Sequence, residues 1–498
     1  MKRTTLFTGL LLFVSGAALA LARPGGGDTF SGPGDSGGGG GDGGAIVFEL
    51  VWFLLRVVFM YPKVGIPLLI IAVIIYIRSN KGRLESWDTA HHAHPAKALV
   101  ARAQPMKALG NADLNPLKAL DPDFSRVLFE DFAYRLFASV QRARTDAAAL
   151  AALAPYLDGP VRTTLLRSDW QAVSNVVVAT LRVESCSLPA TASEGARVRV
   201  QLGYEANITV RASGRDSTLY VRERWQLARA ADVRTKPPGS YERLGCPNCG
   251  APFRSSDNRR CEHCNEVVAD GRFSWQVETR SVLDEQARPP ALTSNVQERG
   301  TDKPTVFAPD FGALWTALCS KDPALNDVLF NQRIALVYGQ LNTAWSGGDL
   351  TSIRALVSDG MFDYLGYWVE AYRAQKLRNV LANMRIVRTE LVKVVADRFF
   401  DAVTVRIFAT GLDYTVELGS DKLVTGSKSS ERAYSEYWTL IRNSSTRGAP
   451  RSDATCPNCA APLKASMAGT CTYCSAHVTN GEFDWVLSKI EQDDVYDG

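Results

Sequence analysis

The sequence predicts an α+β protein made of two copies of one unit, each with helices on one face of an antiparallel sheet, behind an N-terminal membrane anchor. Three observations predict it. A cysteine pattern, C-x2-C-x11-C-x2-C, occurs twice at an offset of 210 residues, as "CPNCGAPFRSSDNRRCEHC" (Cys246 to Cys264) and "CPNCAAPLKASMAGTCTYC" (Cys456 to Cys474). Ahead of each copy the apolar residues recur first at helical and then at strand spacing. The most apolar run lies near the N-terminus, before both copies.

Residues 1–22 join Lys2 and Arg3, the run "LFTGLLLFV" and a small-residue exit at Ala22, the pattern of a signal peptide. Residues 23–44 are a Gly-rich tether with nothing to bury; its glycines match a phosphate-loop pattern trivially, with no strand before them and no Lys-Ser/Thr after. Residues 45–78 form the membrane segment, within which Val57 to Ile77 is long enough as a helix to span a bilayer. A re-entrant hairpin bent at "YPK" is the alternative. Arg78, Lys81 and Arg83 follow the span, whereas the preceding flank holds Arg23 beside Asp28, Asp35, Asp42 and Glu49. The positive-inside rule then leaves the tether outside and everything from Ser79 on in the cytoplasm. In that reducing compartment paired cysteines hold metal rather than form disulfides.

After a polar linker at 79–118, the first unit occupies 119–290, with its cysteine hairpin at 246–264. A linker at 291–310 leads to the second unit, 311–498, with its hairpin at 456–474. "DPDFSRVLF" from Asp121 mirrors "DPALNDVLF" from Asp322, "ERWQLAR" from Glu223 mirrors "EYWTLIR" from Glu436, and "GRFSWQV" from Gly271 mirrors "GEFDWVL" from Gly481. In the first unit Phe129, Phe132, Leu136 and Val140 share a helix face, and Val198, Val200, Leu202 and Tyr204 a strand face. In the second, Ile334, Val337, Tyr338, Leu341 and Trp345 mark a helix that "SGGD" ends. Asp349 is placed to cap a second helix over "LTSIRALV", and Met361, Leu365, Trp368 and Tyr372 line a third. "AVTVRIFA" then alternates Val403, Val405, Ile407 and Ala409 against Thr404, Arg406 and Phe408, a strand with one buried face.

Cys246, Cys249, Cys261 and Cys264, and again Cys456, Cys459, Cys471 and Cys474, supply four thiolates each. That set suits one tetrahedral Zn2+ per hairpin, with no open position and hence a structural role. His263 is surplus to it. The hairpin tip could instead bind a partner or nucleic acid. "HHAHP", His91 to His94, reads as solvated linker rather than a metal site, and Cys186 and Cys319 as inert thiols. A net charge of +4, from 56 Lys+Arg against 52 Asp+Glu, gives no reason to expect nucleic acid. His263 and His477 both border the hairpin cysteines, which removes His-based triads, and no G-x-S-x-G, H-E-x-x-H or P-loop occurs. No catalytic residue is assigned.

"DPALNDVLF", "LNTAWSGGDLTSIRALVSDGMFDYL", "LRNVLANMRIV" and "EYWTLIR" resemble the C-terminal domain of the Tim forty-four family, a mitochondrial inner-membrane translocase subunit and its bacterial relatives. The likeness is good over Asp322 to Arg442 and fainter over Asp121 to Arg229, where "ARTDAAALAAL" replaces the "AWSGGDL" pattern. The resemblance implies nuclear-transport-factor-two-like cones, helices in the concavity of a curved antiparallel sheet, here with an inserted zinc ribbon each. It implies a scaffold or adaptor at the cytoplasmic face of a bacterial inner membrane, crossing once, with membrane lipid and protein as partners and a link to protein transport. A lipid or small apolar ligand held in a pocket is the alternative. Some proteins of this fold are isomerases or dehydratases using Asp and Tyr, so Asp363 or Tyr364 facing a cavity would favour chemistry, and a dry, filled cone would favour scaffolding. The expected cavity lies inside each unit, lined by Leu365, Trp368, Tyr372, Val403, Val405 and Ile407, without His or a carboxylate pair.

Overall fold

Ser125 accepts a hydrogen bond from the Leu128 amide and so starts α1, Arg126–Ala143. The structure, a computed structural model, describes residues 112–498 apart from 191–194, 241–243, 256, 258, 288–291, 293–299, 452–454, 457, 463, 467–468 and 494–495. The signal peptide, tether and membrane segment of the sequence reading, and nearly all of its juxtamembrane linker, lie outside the described residues. Among the described residues no helix is long and apolar enough to cross a membrane. All of them belong to one compact unit.

The face of α1 carrying Phe129, Phe132, Leu136 and Val140 is buried, as its spacing predicts. Asp146 caps the short α2, Ala147–Ala152, and Asp158 caps the five-residue α3, Gly159–Thr163. Four antiparallel strands follow in the order β1 (Ala172–Ser187), β2 (Arg197–Ala212), β3 (Arg215–Ala230) and β4 (Gln276–Ala287). Val198, Val200, Leu202 and Tyr204 face the helices and are buried.

The second half opens with α4, Phe311–Lys321, and α5, Asp327–Gly347, capped by Asn326. Gly348 ends α5 at φ 67, a left-handed conformation that glycine adopts without a Cβ clash. The helix expected over "LTSIRALV" is a 3-10 segment, Thr351–Leu356, instead. Asp349 does accept from the Thr351 amide at 2.9 Å, but Val357 already pairs with Leu487 and Ser358 already caps α6, Asp359–Ala374. No residues remain for a full α-helix. The second sheet runs β5 (Leu377–Ala396), β6 (Phe400–Glu417), β8 (Arg432–Asn443), β9 (Val486–Gln492), with β7 (Leu423–Gly426) paired to β6.

The residues that recur in sequence make the same contacts in both halves. Arg229 meets Asp121 at 2.9 Å and lies over Trp275 at 4.7 Å; Arg442 meets Asp322 at 2.8 Å and lies over Trp485 at 4.6 Å. Each Glu-x-Trp bonds back on itself, Trp225 Nε1 to Glu223 at 2.7 Å and Trp438 Nε1 to Glu436 at 3.0 Å. Leu157 bridges Val277 as Val357 bridges Leu487. The "DP", "ExW…R" and "SW/DW" signatures are therefore one buried ion pair, one indole hydrogen bond and one stacked tryptophan, built twice.

The halves differ where their third helices stand. Five-residue α3 occupies the place of sixteen-residue α6, and α6 packs partly against β1, whose Val177 joins the core of the second half. Conversely, Leu128 of α1 packs on the outer face of the second sheet with Phe400, Ala402, Ile441 and Val486. This overturns the expected single buried face of β6. Thr404, Arg406 and Phe408 are buried as well as Val403, Val405, Ile407 and Ala409. Helix α1 covers one end of that outer face, and Val306, Phe307 and Tyr496 cover the other. Arg406 can be buried there because Asp493 lies 2.5 Å from it and Thr305 accepts at 2.8 Å.

Candidate binding cleft and cysteine clusters

Both cysteine tetrads assemble as their spacing predicts. Within each, the four sulfurs lie within 4.8 Å of one another; Cys246 Sγ is 3.7 Å from Cys264 Sγ, and Cys456 Sγ is 3.8 Å from Cys474 Sγ. Four thiolates on one Zn2+ stand about 3.8 Å apart, since each Zn–S bond is about 2.3 Å in a tetrahedron. The donor set therefore fits, and each cluster could hold a metal ion such as zinc. Outer contacts match too: the Asn248 and Asn458 amides donate to Cys264 and Cys474 at 3.6 and 3.3 Å. Each hairpin docks on the turn before the third helix, through Ala154 in the first half and Ala355 in the second. His263 is exposed and outside the cluster. Cys186 and Cys319 lie apart from both tetrads, and burial pushes their thiols above the ordinary range.

The side chains expected to line a cavity inside the second half fill its core instead. Leu365, Trp368, Tyr372, Val403, Val405 and Ile407 all belong to one continuous buried cluster. The open space lies between the halves, a cleft of about 680 Å³. Its walls are the outer side of α1, the edge strand β1, the first turn of α6, the outer face of the second sheet, and the end of the second cysteine hairpin. β1 stands at the edge of its sheet. Six successive residues, Val176 to Leu181, line the cleft, so the backbone edge and not one side-chain face looks into it. Alternate residues of an antiparallel strand turn their N–H and C=O away from the paired neighbour. At Leu181 that backbone meets the Tyr134 hydroxyl, and at Val183 it accepts from the Ala112 amide at 2.7 Å.

Charge in the cleft is largely neutralised in place. Lys489 of β9 and Arg126 both bond Glu130 of α1; burial acts to raise the Glu130 carboxyl, but these two cations outweigh it and hold the group well below the usual range. Arg135 pairs with Asp131 at 2.9 Å. Asp359, the first residue of α6, accepts from Thr479 at 2.8 Å and Arg354 at 2.5 Å, with His477 Nε2 at 3.6 Å. Burial again acts upward, and those three partners again win, leaving Asp359 far below the usual range. Burial pushes up Asp363, Glu491 and Tyr364, raises Tyr134 to about 12, and lowers Lys393 to about 8.

This cleft corrects two expectations. The cavity belongs to the junction, not to either half, and it holds a histidine and several carboxyls. His477 is no mere neighbour of the cysteines, because its ring faces Asp359. Nothing in local spacing links His477 and Thr479 to residues some 120 positions earlier; only the docking of the hairpin on the turn at Thr351–Leu356 does.

Residues 312–451 match the family described as the Tim44-like domain. No curated protein sequence matches the chain. Among solved structures, an "Ntf2 like protein involved in plasmid conjugation" is similar at 10% identity, over 60% of this chain and 95% of that one, with a TM-score of 0.17, a likeness too slight to bear on the fold.

Proposed function

We propose that the chain is a membrane-anchored, cytoplasm-facing scaffold of a bacterial inner membrane, in which two Tim44-like units, each stabilised by one structural Zn2+ in a ribbon, bind an extended polypeptide in the cleft between them. The observation that carries the reading is the open edge of β1 lying along that cleft. An exposed strand edge offers hydrogen bonds to any extended chain, and flanking pockets then select alternate side chains. The Tim44-like match at 312–451 supports a role in protein binding or translocation. The filled core of the second half supports scaffolding over an apolar ligand held inside a cone. Partners are thus protein in the cleft and membrane lipid around the anchor at 45–78, with no nucleic acid.

A photo-crosslinking residue at Thr180, in the full chain in its membrane, tests this. Polypeptide adducts at 180, absent when the residue is placed at exposed Ser281, are expected. Lipid adducts alone would replace the reading with the apolar-ligand alternative, and no adduct would remove the cleft as a binding site.

One observation favours a second reading, an enzyme of the same fold. Asp363 and Tyr364 do face a cavity, near Asp359 and His477. Binding without turnover remains our reading, because Asp359 and Glu130 are engaged in ion pairs. Asp363 and Glu491, both pushed up by burial, are the cleft carboxyls suited to proton transfer, and Asp363→Asn or Glu491→Gln abolishing a turnover would establish the catalytic reading.

A further inference from the structure

The two cysteine hairpins share their backbone lacing but not their surroundings. In the second, Cys471 N donates to Ala476 O at 2.8 Å and Val478 N to Gly469 O at 2.9 Å. In the first, Cys261 N donates to Glu266 O and Val268 N to Arg259 O, both at 2.9 Å. The chain leaving each tetrad is therefore tied to the loop that carries the third cysteine. What that chain touches is different. In the second half it brings His477 and Thr479 onto Asp359, and it lines the cleft with His477, Thr479 and Asn480. Gly469 closes the arrangement from the metal side. At φ 75 it sits so near that a Cβ would collide with Thr479 Oγ1 and Arg354 Nη2. The corresponding positions of the first half are Val267 and Ala269 on the hairpin, facing Ala154 and Gly159. None of those side chains can make such a polar latch.

We infer that the second hairpin is a metal-dependent wall of the cleft: zinc at Cys456, Cys459, Cys471 and Cys474 holds Thr479 and His477 on Asp359, and so sets the shape of the cleft and its grip on a bound chain. The first hairpin has no such control. The physical basis is that a four-cysteine hairpin of this size draws its folding free energy from the metal. Loss of the ion loosens residues 476–480, because among the described residues their backbone hydrogen bonds run to the loop at 469–471, which carries Cys471. Asp359 then loses two of its three partners, and the first turn of α6 loses its tie to the hairpin. Arg354 alone remains on the carboxylate. The polypeptide half of the inference rests on the proposed role of the cleft; the metal half does not.

The experiment separates them. Hydrogen exchange is followed in the full chain in detergent for wild type, Cys246→Ser, Cys456→Ser and Thr479→Val, with bound zinc counted by native mass spectrometry. The Thr180 crosslink yield is measured in parallel. Cys456→Ser is expected to speed exchange of amides 358–362 about tenfold or more, the scale of losing charge-assisted hydrogen bonds, while Cys246→Ser leaves them unchanged. Thr479→Val should reproduce part of that speeding with two zincs still bound, which keeps the test valid if the cysteine variant unfolds. Equal exchange at 358–362 in Cys246→Ser and Cys456→Ser, or wild-type exchange in Thr479→Val, would overturn the latch. A latch that behaves as expected together with no crosslink in any variant would sink the polypeptide role alone.

Discussion

Replacing Arg442 by alanine should be among the most damaging single changes in the second half. Its side chain is almost wholly buried, as is that of Asp322. It bonds Asp322 at 2.8 Å, lies 3.8 Å from Asp401, and covers the ring of Trp485. Removing one partner of a buried ion pair leaves the other charge without compensation, at a cost of about 3–5 kcal/mol. The lost cation–π contact, about 0.5–2 kcal/mol, falls partly within that figure. Burial already pushes the Asp401 carboxyl up, and without Arg442 it rises further, so part of the penalty should appear as proton uptake. Urea unfolding of the full chain in detergent, followed by tryptophan fluorescence, reads the change. At a slope of about 1–3 kcal/mol per molar urea, the midpoint should fall by about 1 M or more. The double variant Arg442→Met with Asp322→Leu should recover part of the loss, because well-packed apolar replacements of buried pairs are often neutral, the remainder being Asp401 without its cation and the Gly448 amide without its acceptor. A shift equivalent to under about 1 kcal/mol, or a double variant as unstable as the two single losses added, would refute the account.

The junction should respond to pH in two directions. Glu130 is held below its ordinary range in the folded state, so its contribution is present above its unfolded value of about 4.3 and fades as pH falls further; Glu130→Gln should remove that acid-side loss in an unfolding series. Lys393 is lowered to about 8, so the folded chain binds fewer protons than the unfolded one and stability should rise with pH between about 8 and 10.4. Lys393→Met should abolish that rise and leave the protein more stable at pH 7. A reporter fused after Gly110 should be active only in the cytoplasm, and periplasmic activity would restore the re-entrant hairpin. Native mass spectrometry should count two zincs per chain, and fewer would contradict the assignment of both tetrads.

What the sequence disclosed, and what it hid, divides by the range of the interactions. The tetrads were legible because two C-x2-C turns form locally and need only one long closure. The helix faces at Phe129 to Val140 and Ile334 to Trp345 were legible because burial repeats with the backbone's own period. Both faces of β6 are buried for a reason that no period records: α1 of the other half lies on one end of the sheet. The helix expected at "LTSIRALV" failed because its neighbours on both sides were already committed to a bridge and a cap.

The offsets between matching signatures show where the two halves differ in length. "DPDFSRVLF" and "DPALNDVLF" stand 201 residues apart, but "ERWQLAR" and "EYWTLIR" stand 213 apart. The first half is therefore shorter somewhere between Asp121 and Glu223. The parallel bridges place Leu157 and Val357 in equivalent positions, 200 apart, and the strand registers place Leu202 and Val405 in equivalent positions opposite Trp225 and Trp438, 203 apart; about three residues of the deficit therefore fall before the middle of β2, and about ten fall between β2 and β3, where the second half inserts β7. After Leu157 the sequence reads "DGPVRTTLLRSDW" against "SDGMFDYLGYWVEAYRAQ", and the structure sets α3 against α6, a change of helix length and not chiefly of residue number. In the first half, Val176, Val178 and Leu181 of β1 face that half's own helices, while α6 packs on the opposite face of the strand at Val177 and Ala179. The same stretch, Val176 to Leu181, borders the cleft along its backbone edge. The two halves thus differ both in the helix ahead of the sheet, five-residue α3 against sixteen-residue α6, and in the connection that carries β7, and the cleft lies where α6 stands beside β1.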